Sequence, residues 1–152
     1  RPPGPNCQLV IAYQGAVADQ AIRAAGQIAE YRRDVAVLAI TSADRLHAGL
    51  YEAQRRRSSG DTMLSHIEFL LDRVPRDAKL LTVIDGHPAT LSWLGGVCGH
   101  STLAQGVDHF GQTGTVNDLY QHYRLDTASL VETALAMTPG RRPFAEYQRV
   151  AS

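Results

Sequence analysis

The chain has 152 residues, 44% of them hydrophobic and 20% charged, with fifteen basic residues set against fifteen acidic ones. That length supports one ordinary domain with its own core, and the charge balance provides no long-range attraction to nucleic acid or to an anionic membrane. No apolar run approaches the roughly 18 residues of a membrane helix and no signal-peptide pattern opens the chain, so a soluble cytoplasmic protein is expected.

The opening Arg1-Pro2-Pro3-Gly4-Pro5-Asn6 has the composition of an extended linker and lacks an initiating Met, which predicts a linker over 1–7 and a chain cut from something larger. Gln8 to Tyr13 is a near-continuous apolar run ended by Gly15, as expected of a strand covered on both faces. Ala16 to Tyr31 repeats apolar residues at helical spacing through Val17, Ala21, Ala24, Ala25 and Ile28. Val35 to Ile40 is a second buried strand. Ser42 is then the expected N-cap of a helix through Leu46, Leu50 and Ala53, which Ser58-Ser59-Gly60 breaks. Asp61 to Asp72 predicts a further helix with Met63, Ile67, Leu70 and Leu71 inward. After the turn at Val74-Pro75-Arg76-Asp77, Leu80 to Ile84 is the third strand, ended by Asp85-Gly86-His87-Pro88. A helix from Ala89 carries Leu91 and Leu94, with Trp93 expected in the core, and a turn runs from Gly95-Gly96 to Gly99. Thr102 to Val107 is the fourth strand. A broken loop, Asp108 to Gly114, precedes a helix with Leu119 and Tyr123 four apart, and Asp126 caps a last helix through Leu130, Val131 and Leu135.

Such alternation predicts an α/β fold, a three-layer α/β/α sandwich on a mostly parallel sheet of four to five strands. Ligands of open sheets sit beyond the carboxyl ends of the strands, so the post-strand segments hold the candidate site. Tyr13-Gln14-Gly15-Ala16 lacks the G-x-G-x-x-G spacing that cradles pyrophosphate. Asp85-Gly86-His87-Pro88 is either an acid/base pair or a glycine turn opened by Asp and closed by Pro. Asp108-His109-Phe110-Gly111 follows the fourth strand, where His109 is placed to meet His87. Phe110 is expected to pack against the sheet, and Gly111 to hold a conformation that side chains disfavour.

Other chemistry finds little support. His87, His100, His109 and His122 stand nine or more residues apart, outside the spacing of structural zinc pairs. Neither a G-x-S-x-G elbow nor a P-loop is present. Cys7 and Cys98 read as reduced thiols, with a disulfide between them left open. Arg55-Arg56-Arg57, at a helix end, reads as a solvated face that complements the helix dipole.

The stretch from Val107 to Asp126, VDHFGQTGTVNDLYQHYRLD, follows the pattern D-x-F-G-x-[ST]-x(4)-L-x(2)-[HY]-[FY] with a short L-D-[TA] helix start. It resembles the C-terminal domain of the transketolase superfamily, most of all that of the homodimeric type of the decarboxylating first component of pyruvate dehydrogenase. The resemblance extends over about residues 8–137 and leaves 138–152 as a tail. It implies a structural and dimerisation domain, catalytically silent by itself. Family members bind thiamine diphosphate and magnesium on other domains through a G-D-G motif and a following Asn, and Asp85-Gly86 is not that motif. The implied partners are the other domains of the parent chain, a second subunit and the lipoyl-bearing acyltransferase component. For this chain the resemblance implies no catalytic, cofactor or metal residue. The candidate ligand or interface residues are Asp85, Gly86, His87, Asp108, His109, Phe110 and Gly111. A regulatory small-molecule module using these strand ends, and a small α/β enzyme with an Asp-His site, are the alternatives.

Overall fold

A computed structural model describes residues 3–139. Four strands, β1 (Leu9–Gln14), β2 (Val35–Ala39), β3 (Lys79–Ile84) and β4 (Thr102–Gln105), form one all-parallel sheet in the order β2-β1-β3-β4. The central register pairs Ile11 with Val37 on one side and with Leu81 on the other.

Side chains alternate across each strand, so β1 divides its apolar residues between two cores. Leu9 and Ile11 join Val35, Leu81 and Val83 beneath α1 (Ala18–Tyr31) and α7 (Thr127–Met137), through Ala21, Ala24, Ile28, Leu130, Val131 and Ala134. Val10 and Ala12 join Leu80 on the opposite face, beneath Leu50 of α2 (Ala43–Arg57), Ile67 and Leu71 of α3 (His66–Leu71), Leu91 of α4 (Ala89–Ser92) and Leu94 of α5 (Leu94–Cys98). This is the expected α/β/α sandwich, with four strands. On the first of these faces, the fully buried Arg32-Asp34 pair makes two parallel hydrogen bonds of 2.8 and 2.9 Å, and Arg32 also donates to Thr138 beyond α7.

Three local expectations are corrected. The helix expected over Asp61–Asp72 starts only at His66. Asp61 instead accepts the Met63 N–H, and Ser65 with Glu68 forms a reciprocal capping box, leaving Met63 58% exposed rather than inward. Ser42 stands at the start of α2 but its side chain makes no capping bond. The turn expected from Gly95 is the helix α5, and the chain turns only at Gly99 (φ 75°). Gly95 is there because a Cβ would overlap the Thr102 side chain. Just before β1, Cys7 is buried and its N–H closes a turn on the Gly4 carbonyl.

Cys7 and Cys98 are both free. Burial pushes the Cys7 thiol up from its ordinary value, and its Sγ donates to the Leu9 carbonyl, which leaves it a poor nucleophile. Trp93 is half-buried against the α2–α5 core, its indole N–H on the Thr90 carbonyl and its ring edge-on to His47. Of the tail expected over 138–152, residues 140–152 lie outside the described residues. Among the described residues, no helix is long and apolar enough to cross a membrane.

Candidate functional site

The strand order creates one switch point. From β1 the chain turns to α1 and one face of the sheet, whereas from β3 it turns to α4 and the other, so the carboxyl ends of these two neighbours open a crevice between diverging loops. Asp85, the first residue after β3, reaches across it and accepts the Ala16 N–H at 2.9 Å. Gly15 permits this twice over: its φ is 86°, and a Cβ there would overlap the Asp85 carboxylate. A short 3₁₀ turn (Gly15–Val17) then leads into α1. The free backbone donors at such a helix start attract anions. Here a carboxylate of the chain itself fills that place, which agrees with the missing pyrophosphate fingerprint.

His87 does not pair with Asp85. Its ring Nδ1 accepts the Ala89 N–H at 3.2 Å, and Gly86 accepts the Val107 N–H at 2.8 Å through its carbonyl. Asp85-Gly86-His87-Pro88 is therefore a turn that begins α4 and supports the end of β4, not an acid/base pair.

His109 turns away from the expected partner as well. Its Nδ1 lies 2.5 Å from Asp108 Oδ1, its ring stands 5.7 Å from that of His122 and 5.2 Å from that of Tyr123, and its carbonyl accepts the Tyr123 hydroxyl at 2.6 Å. The expected meeting with His87 gives way to this cluster with α6 (Val116–His122). Asp108 and His109 side chains are each more than 60% exposed, so their pairing is largely solvated. Gly111 does hold the expected unusual conformation, with φ 108°. Phe110 does not pack against the sheet; it is 100% exposed.

Caps fix the two helices that follow. Thr115 and Asp118 form a capping box at the start of α6, and the Thr115 hydroxyl, followed by its N–H, holds the Asp118 carboxyl below the usual range. Asp126 accepts the Ser129 N–H at the start of α7, while Gln20 of α1 accepts from both the N–H and the hydroxyl of Thr127. Between α6 and the switch point lies an open cleft of about 390 Å³, bounded by Asp85, Val107, Phe110, Leu119, Tyr120 and Tyr123 among others.

No family model matches the chain, and no curated protein does. Among the described residues, no group of three or more His, Cys, Asp and Glu side chains could hold a metal ion. The sequence picked out Asp85, His109, Phe110 and Gly111, which the structure brings to the cleft, but left aside Ala16, Tyr120 and Tyr123. Tyr120 and Tyr123 sit three apart on the helix, so their shared face was readable from spacing once α6 was placed.

Proposed function

We propose that this chain is the C-terminal structural and dimerisation domain of a thiamine-diphosphate-dependent 2-oxo acid dehydrogenase of the pyruvate type, or of a transketolase-like enzyme. The parent would decarboxylate a 2-oxo acid in the cytoplasm and pass the acyl group to a lipoyl carrier, with thiamine diphosphate and magnesium held on its other domains. One observation carries the reading. The segment bearing the resemblance, Val107 to Asp126, follows the fourth parallel strand as a loop and a capped helix, then reaches a second cap at Asp126, the order that the resemblance requires. The side chains at the strand ends are engaged in holding backbone, Asp85 on Ala16 and His87 on Ala89, which suits a supporting domain better than an independent enzyme with an Asp-His site.

The test is calorimetric titration of this chain, and of the full-length parent, with thiamine diphosphate and magnesium. Heat of binding with the parent alone is the expected result, together with a dimer of the parent by sedimentation equilibrium. Binding by this chain alone would overturn the assignment. A second reading, a regulatory small-molecule module, is favoured by one feature, the cleft at the switch point.

A further inference from the structure

The cleft has a chemical character that narrows what it accepts. Its walls are apolar and aromatic, with Phe110 fully exposed at the mouth and Tyr120 of α6 and Tyr123 just past its end half-buried. Asp85 is its carboxylate, and no Lys or Arg lines it. His109 also lines the cleft, its ring bonded to the Asp108 carboxylate just outside it. The nearest arginine in sequence, Arg124, directs its guanidinium to Glu132 at 2.6 Å. An entering anion would therefore meet Asp85 and no fixed cation to offset it. An entering cation would meet one carboxylate among aromatic side chains, and ammonium groups are attracted both to carboxylates and to aromatic rings.

We infer that the switch-point cleft binds a small amphipathic organic cation, an ammonium group carried on an aromatic or branched aliphatic body. The body lies against Tyr120 and Tyr123, and the ammonium faces Asp85, whose Oδ2 keeps its bond from Ala16. The usual preference of an α/β switch point for phosphates is thereby inverted, because a backbone donor of the 3₁₀ turn before α1, the Ala16 N–H, is already taken by Asp85. The inference concerns this chain's own cleft and holds whether or not the parent-enzyme reading does.

The experiment is a pair of titrations of the whole chain, followed by backbone amide NMR, with phenethylammonium and with 3-phenylpropanoate, which match in size and differ in charge. Saturable shifts at Ala16, at 107–112 and at Tyr120 and Tyr123 are expected with the ammonium, and affinity for the carboxylate should be lower by about tenfold. Asp85→Asn keeps an oxygen for the Ala16 N–H and removes the charge, so it should abolish most of that preference while the amide spectrum stays folded. Tyr120→Ala should weaken the ammonium without restoring the carboxylate. Equal binding of both compounds, an unchanged preference in Asp85→Asn, or no saturable shift with the ammonium would each overturn the inference.

Discussion

Asp85 and Ala16 lie 69 residues apart in sequence, yet the carboxylate of the first accepts the backbone N–H of the second at 2.9 Å. The end of β3 thus supplies an acceptor to the 3₁₀ turn that leads into α1, and Gly15 leaves the space for it. Removing the carboxylate in Asp85→Ala should destabilise the domain by about 1 kcal/mol, whereas Asp85→Asn should cost roughly half as much. Gly15→Ala combines a disfavoured φ with an overlap, and should cost about 2 kcal/mol or more. Urea midpoints of the three variants check this order.

The loop after β4 separates two effects that a single substitution would confuse. Phe110 touches no core, so Phe110→Ala should leave stability within about 0.5 kcal/mol of the parent sequence. Gly111→Val puts a β-branched residue at φ 108° with open space around it, and backbone strain alone should cost about 1–2 kcal/mol. Equal melting temperatures for Gly111→Val and the parent sequence would refute the strain account.

Glu68 should give the fold an acid-sensitive limb. The Arg57 guanidinium beside it, with the Ser65 N–H and hydroxyl, holds its carboxyl down at about 2. A carboxyl with a depressed value in the folded state contributes stability that is complete above the unfolded value and is lost as pH falls toward the folded one. The window is therefore about pH 4.5 down to pH 2. The contribution should be about 1 kcal/mol, since the Arg57 side chain is 34% exposed and screened by solvent. Glu68→Gln should flatten this limb of the stability–pH curve, and a curve of unchanged slope would exclude Glu68 as its source.

The Arg32-Asp34 pair is the opposite case, with both side chains at 6% exposure or less. Asp34→Ala would leave a guanidinium in the interior with its main partner gone, and should cost about 3–5 kcal/mol. Replacing both by Leu should cost distinctly less, because no charge is then stranded. Chemical denaturation of the two variants distinguishes these outcomes.

The fold was legible because parallel strands buried on both faces read as near-continuous apolar runs, as QLVIAY, VAVLAI and LLTVI do apart from Gln8 and Thr82. The errors have local causes. Asp61 to Asp72 has helical apolar spacing, but Ser65 and Glu68 carry a capping-box pattern that places the start at His66. Gly95-Gly96 looks like a turn by composition, and only the close approach of Thr102 explains a helical glycine there. At the candidate site, sequence located the strand ends but not who holds whom. Asp85 chose Ala16 over His87, and that choice depends on the β1–β3 pairing, a long-range contact that no local pattern encodes.

The Arg32 to Thr138 hydrogen bond spans 106 residues, and it marks how late the domain is completed during synthesis. The core under α1 is roofed by Leu130, Val131 and Ala134 of α7, the last described helix to emerge from the ribosome. Until that helix arrives, the apolar side of the first strands has only α1 to cover it. A nascent chain halted before α7 should therefore bind holdase chaperones, and release from them should follow the appearance of α7.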